Sequence, residues 1–149
     1  MKPIYLLDTN AVSELLKIAP NTSFLQQFTR YEKRCAIAST TWNELLFGVN
    51  IMESGKRRDF LFSKIIDEIQ EAFPVIQLDN HAAWIQADLR ARLKESGKKI
   101  DYPDTEIAAI AIANQMILVT RNTKHFEPIA EINSVFHFEN WFNQRKFHA

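Results

Sequence analysis

Five short apolar runs, separated by longer segments in which apolar residues recur about every 3.6 positions, restrict this chain to an alternation of strands and helices. The runs are Ile4–Leu7, Ala36–Ser39, Val75–Leu78, Ile117–Thr120 and Val135–Phe138. Each is about four residues long and is predicted to be a short, buried strand. The intervening periodicity of Phe62, Ile65, Ile66, Ile69 and Phe73, and of Ala82, Ile85, Leu89 and Leu93, predicts amphipathic helices. Phe24, Phe28 and Tyr31 mark another after the Pro20-Asn21-Thr22 breaker, and Glu139–Lys146 is expected to form a short terminal helix. From Asp104 to Asn114 the pattern changes: Ile107 to Ala113 is apolar on every side, so this helix must be central. Gly97, followed by Lys98 and Lys99, punctuates the helix before it. Strand–helix alternation of this kind predicts an α/β fold with a five-stranded parallel sheet.

The chain of 149 residues is 46% hydrophobic and 24% charged with only 3 Gly and 5 Pro, a composition that excludes disorder and collagen-like structure. No repeat, low-complexity tract or Gly/Ser linker interrupts it, so one domain is expected over residues 1–149. Its single cysteine, Cys35, forms no intrachain disulfide, and no Cys/His cluster suggests zinc. A reducing cytoplasm is therefore the expected location. The apolar run at the start is stopped by Asp8, and Ile107–Val119 is broken by Asn114 and Gln115, so neither a signal peptide nor a membrane helix is expected. With 18 basic and 18 acidic residues, no global field draws nucleic acid, and a polyanion site must come from local arrangement.

Ligands of open parallel sheets bind beyond the carboxyl ends of the strands, which directs attention to the polar residues that follow each run. Leu6-Leu7-Asp8-Thr9-Asn10 delivers a carboxylate, a hydroxyl and an amide to that edge, although Asp8 and Asn10 also suit a helix N-cap. Thr41-Trp42-Asn43-Glu44 after the second run fits a capping box, with Glu44 also directed toward the crevice of Asp8. Asp101-Tyr102-Pro103-Asp104-Thr105-Glu106 enters the central helix. There Glu106 lies about 200° around the axis from Asp104, so the two cannot share one small site, and Asp104 is the candidate. Thr120-Arg121-Asn122-Thr123-Lys124 ends the fourth run, offering Thr120 and Asn122 to a metal's water shell and Arg121 or Lys124 to phosphate.

Asp8, Glu44 and Asp104 are thus expected at three strand-to-helix junctions on one edge of one sheet. Carboxylates a few ångströms apart repel by about 4 kcal/mol per close pair at an effective dielectric of 20, so such a cluster requires protons or a cation. Oxygen-only ligands select Mg²⁺, with Mn²⁺ as substitute, over zinc.

With these residues in place the sequence resembles the PIN-domain nucleases, and within them the VapC-type toxins of bacterial toxin–antitoxin pairs. The likeness covers nearly the whole chain and is carried by Leu6-Leu7-Asp8-Thr9-Asn10, Glu44-Leu45-Leu46-Phe47-Gly48, Asp104-Thr105-Glu106-Ile107-Ala108-Ala109 and Thr120-Arg121-Asn122-Thr123-Lys124-His125-Phe126. The resemblance implies a PIN-like α/β/α sandwich, a homodimer, and an antitoxin whose tail covers the site. It also implies an acidic quartet, which falls on Asp8, Glu44, Asp104 and Asn122. Asparagine at the fourth position accepts a hydrogen bond without contributing charge, which weakens a second metal more than a first.

The activity expected on this basis is that of a Mg²⁺-dependent endoribonuclease, in which water activated by the metal hydrolyses RNA phosphodiester bonds. Asp8 and Asp104 would hold the ion, Glu44 would bind or orient its water, and Asn122 would support that shell. Thr9, Asn10 and Thr120 are the candidates for orienting these groups, Arg121 and Lys124 for holding phosphate, and Arg90, Arg92, Lys94, Lys98 and Lys99 for guiding the strand. Three rivals remain. One is metal-free acid–base chemistry by His81, His125, His137 and His148; a second is a phosphohydrolase that forms an aspartyl phosphate, disfavoured because the second Asp it commonly carries two residues on is Asn10 here; the third is a catalytically weak or silent PIN module that binds RNA or a protein partner. Dimer contacts are sought among Phe24, Phe47 and Phe60–Phe62, which suit a core equally well.

Overall fold

A computed structural model describes residues 2–143. Five strands, β1 (Tyr5–Leu7), β2 (Cys35–Ala38), β3 (Val75–Ile76), β4 (Ile117–Val119) and β5 (Phe138–Glu139), form one sheet in the order β3-β2-β1-β4-β5. All four pairings are parallel, and β1 is central, with Leu6 opposite Ala36 on one side and Leu118 on the other. Parallel neighbours need crossover connections. These are supplied by α1 (Thr9–Leu15), α2 (Thr22–Tyr31), α3 (Ser39–Asn50), α4 (Lys56–Lys64), α5 (Gln70–Ala72), α6 (Asn80–Glu95), α7 (Tyr102–Ala113) and α8 (Thr123–Ile132).

Side chains of a strand alternate between faces, and the two faces of this sheet support two cores. Leu6, Ala36, Ala38 and Leu118 pack with Leu89, Leu93, Ile110 and Ile129 of α6, α7 and α8. Tyr5, Leu7, Ile37 and Val119 pack on the other side with Val12, Phe24, Leu45, Ile65 and Trp141. The result is an α/β/α sandwich. Ile107 to Ala111 of α7 are all buried, as a helix without a polar face requires, and small side chains at Ala36, Ala38, Ala108, Ala109 and Ala111 fill this core together. None of the described helices is long and apolar enough to cross a membrane.

Several boundaries differ from expectation. The last strand pairs at Phe138–Glu139 rather than over Val135–Phe138, because Leu118 N donates to His137 O and Thr120 N to Glu139 O; Val135 is exposed. Glu139 therefore belongs to the sheet, residues 140–143 are not helical, and the remainder of the expected terminal helix lies outside the described residues. In the 62–73 segment a π turn, Ile65–Ile69, follows α4. A wider turn of this kind aligns residues four apart, and Ile65, Ile69 and Phe73 are all buried while Phe62 stays exposed.

Candidate active site

Parallel strands place all their carboxyl ends along one edge, and there a cleft of about 430 Å³ opens among Asp8, Glu44, Asp104, Asn122 and His125. Asp8 follows β1, whose backbone is tied to β4 by Asp8 N donating to Val119 O at 2.9 Å. β1 lies between β2 and β4, so the loops after β1 and β4 adjoin, as at the switch points where α/β sheets bind ligands.

The Asp8 carboxylate is held by three donors. Its Oδ1 accepts from Thr9 N at 2.8 Å, and its Oδ2 from Thr120 Oγ1 at 2.9 Å and Asn10 Nδ2 at 3.1 Å. Asp8 thus caps α1 and faces the cleft at once, so the two readings of this residue coexist. The buried Thr120 hydroxyl uses its full capacity, donating to Asp8 and accepting from Asn122 N at 3.0 Å and Asn10 Nδ2 at 3.3 Å. Asn10 Oδ1 in turn accepts from Arg121 N at 2.9 Å, which closes a network between the β1 and β4 loops.

Glu44 reaches the cleft from α3, where its Oε2 accepts from Thr9 Oγ1 at 2.7 Å. The expected capping box does not form. α3 begins immediately after β2, at Ser39 with Ala38 as its cap, which carries Thr41 into the helix, where its buried hydroxyl has no partner among the described residues. Asp104 also arrives differently from expectation: no strand precedes it, and α7 follows α6 through the Gly97 loop. It nevertheless reaches the same edge, since a helix that feeds back into a parallel strand starts beside that strand's carboxyl end. Glu106 accepts from Thr40 Oγ1, and Thr40 lines the cleft, so Glu106 is linked to the cleft through Thr40.

Burial raises the Asp8 carboxyl above its usual range despite the hydrogen bonds from Thr120, Thr9 and Asn10 that oppose the shift. Asp104 is pushed from 3.8 to about 6, first by burial and then by the charge of Asp8, with Asp101 and Glu44 adding to the repulsion and His125 opposing it. His125 Nδ1 lies 3.6 Å from Asp104 Oδ2. Folding therefore takes up protons between about pH 4 and 6, and this contribution to stability is lost as pH rises through that window. In EDTA near pH 7.5, Asp104→Asn should melt a few degrees above the wild type, with the difference shrinking toward pH 4. Equal melting of the two proteins across this range would contradict the electrostatic account.

Asp8, Glu44 and Asp104 share the cleft without forming a ready ligand set: among the described residues, no three carboxylate, histidine or cysteine groups are close enough together to hold a metal ion. The donors present suit a hard ion that keeps much of its water, since Mg²⁺ commonly takes only one or two protein carboxylates. Asp101, Thr40 and Ser13, none of them chosen from the sequence, also line the cleft. Thr40 directly follows the second apolar run and Ser13 lies one helical turn beyond Thr9, which is the signal that could have found them. Of the expected phosphate contacts, Lys124 lines an adjoining cleft with Asp104 and His125, whereas the Arg121 guanidinium stacks 4.2 Å above the Phe142 ring. His81 lies in the first turn of α6 and His137 precedes β5, leaving His125 without a second histidine in the cleft among the described residues; His148 lies outside them.

The PIN domain family model matches residues 5–132. Over 124 residues the chain is 36% identical to VapC ribonuclease Y4jK of Sinorhizobium fredii, covering 81% of this chain and 89% of that protein. The fold is similar to that of FitAcB from Neisseria gonorrhoeae, with a TM-score of 0.84 and 27% identity over 95% of this chain and 100% of that one. VapBC2 from Rickettsia felis, solved bound to a DNA fragment from its promoter, is similar with a TM-score of 0.78 and 28% identity, covering 93% of this chain and 98% of that one. A sheet that gathers the Asp8, Glu44 and Asp104 carboxylates, together with these likenesses across nearly the whole length, places the chain in the PIN-domain family, among the VapC-type ribonuclease toxins of toxin–antitoxin systems.

Proposed function

We propose that the cleft is the catalytic centre of a Mg²⁺-dependent endoribonuclease in which Asp8 and Asp104 hold the ion, Glu44 binds or orients its water, and Asn122 supports that shell. The observation that carries this reading is the sharing of one cleft by the three carboxylates, with the Asp104 proton affinity raised first by burial and then by the charge of Asp8, Glu44 adding least. A bound divalent ion lowers the pKa of water and neutralises charge developing on a phosphate. The chain supplies positioning. Thr120 and Asn10 fix the Asp8 carboxylate, Thr9 fixes that of Glu44, and Ile107 walls the cleft beside them. Lys124 is the better placed of the two phosphate contacts, since it lines the depression shared with Asp104 and His125 while the Arg121 guanidinium is engaged by Phe142. Asn122 brings no charge to the cleft, which favours one resident ion, and Mn²⁺ substitutes for Mg²⁺.

Purified protein should cut structured RNA in millimolar Mg²⁺ and stop in EDTA. Cleavage that persists in EDTA would refute the reading; binding without cleavage at any Mg²⁺ or Mn²⁺ concentration would favour the silent module that Asn122 suggests. The same ions should raise the melting temperature, because a ligand of the folded cleft alone stabilises it by about 2.7 kcal/mol at 100 times its dissociation constant. That rise should vanish in Asp104→Ala.

The chain pairs with an antitoxin, in keeping with solved relatives that are toxin–antitoxin complexes. Phe24 belongs to the core, but Phe47, Phe60 and Phe62 are exposed, as are Ile18 and Ile51, and the apolar cleft that Ile18 and Phe60 share with Leu16 and Leu61 suits a homodimer or the antitoxin.

A further inference from the structure

A second cleft of about 810 Å³ lies where α6 ends and α7 begins, lined by Arg90, Lys94, Lys99, Asp101 and Tyr102 among others. It is not isolated from the carboxylates. Asp101 borders both clefts, and a smaller depression lined by Lys99, Asp101, Asp104, Lys124 and His125 joins them. The ends of this path differ in charge, acidic at Asp8 and Asp104 and basic at Lys94 and Lys99. Its cations are also not equivalent. Lys98 is paired with Glu131 at 2.5 Å and Arg92 with Asp88 at 3.0 Å, whereas Lys94 and Lys99 carry no ion pair among the described residues. Tyr102 is 52% exposed, and Arg90 Cζ sits 5.0 Å from its ring centroid, so one ring face is backed by a cation while the side chain remains open to solvent.

Cations along a groove with an exposed aromatic ring are what a single strand needs, the cations for successive phosphates and the ring for a base. We infer that the α6–α7 cleft holds the single-stranded RNA segment adjoining the scissile bond, with Lys94 and Lys99 on its phosphates and a base stacked on Tyr102. This subsite rests on the ribonuclease reading of the acidic cleft and adds where the substrate runs. Of the five cations that the sequence marked for strand guidance, it retains Lys94 and Lys99 as phosphate contacts and gives Arg90 the role of backing the ring.

The test is fluorescence anisotropy with a labelled single-stranded RNA decamer, in an Asp8→Asn background that keeps the RNA intact. Binding is read without cleavage, so a failure of the catalytic reading leaves this result interpretable. Lys94→Gln with Lys99→Gln should weaken binding about tenfold or more and reduce the slope of log affinity against log salt by about 0.7 per lysine. Tyr102→Ala should weaken it roughly 5- to 150-fold, with Tyr102→Phe retaining affinity. Lys33→Ala, beside the amino end of β2 at the opposite edge of the sheet, should change nothing. Unaltered affinity and salt slope in the double lysine variant would overturn the proposal. So would a cleft that binds a labelled Glu decamer through Lys94 and Lys99 while RNA binding ignores them, since the occupant would then be an acidic protein segment.

Discussion

Replacing Asp8 by Asn should lower RNA cleavage in Mg²⁺ by about 10³-fold or more without unfolding the protein. The expectation follows from where the carboxylate stands. It closes β1, is locked by Thr9, Asn10 and Thr120, and borders the cleft shared with Glu44 and Asp104. An amide of the same shape keeps the capping oxygen but loses the charge that, in the proposed mechanism, would retain a hard cation, and several kcal/mol of transition-state stabilisation would go with it. At about 1.4 kcal/mol per factor of ten, that loss accounts for the expected drop. Burial already opposes ionisation of Asp8, so its neutral replacement should fold with unchanged or slightly higher stability in EDTA. Cleavage within tenfold of wild type in a correctly folded Asp8→Asn protein would remove Asp8 from the catalytic centre.

Trp141→Ala should cost about 3–5 kcal/mol, or roughly 6–20 °C in melting temperature. The residue follows the last strand and is 2% exposed. Its ring meets Tyr5 at 5.0 Å, Tyr31 at 5.9 Å and Phe24 at 6.1 Å, while its Nε1 donates to Glu139 Oε1 at 3.1 Å. Ser23 Oγ also donates to Trp141 O at 3.0 Å, so this indole joins the end of the chain to α2 and to the first strand. Truncation leaves a cavity among rings that cannot all collapse into it. Urea unfolding should show a lower midpoint at an unchanged slope, and a midpoint equal to wild type would show that the cluster contributes nothing.

The legible parts of this protein were those written in local patterns. The first four strands and the principal helices lie close to where periodicity placed them, because a buried strand and a one-sided helix each impose their own spacing of apolar residues. Asp8, Glu44, Asp104 and Asn122 were chosen from positions beside apolar runs, and all four border one cleft. Errors arose where a local signal competed with pairing at a distance. Val135 is apolar yet exposed, since the register with β4 is set by hydrogen bonds at His137 and Glu139. Thr41 and Glu44 have the spacing of a capping box, but direct continuation of β2 into α3 leaves no capping position for Thr41.

From the sequence alone came the strand–helix alternation, the buried central helix, and the choice of carboxylates that border one cleft, because each depends on residue type and near neighbours. Only the tertiary structure decided that Asp104 joins the cleft from an α6–α7 loop, that Thr120 secures Asp8 from 112 positions away, and that Phe142 engages Arg121 while Lys94 and Lys99 border an open groove. Those outcomes depend on which elements pack together, and the free energy of packing is shared among contacts far apart in the chain, where no local spacing records it.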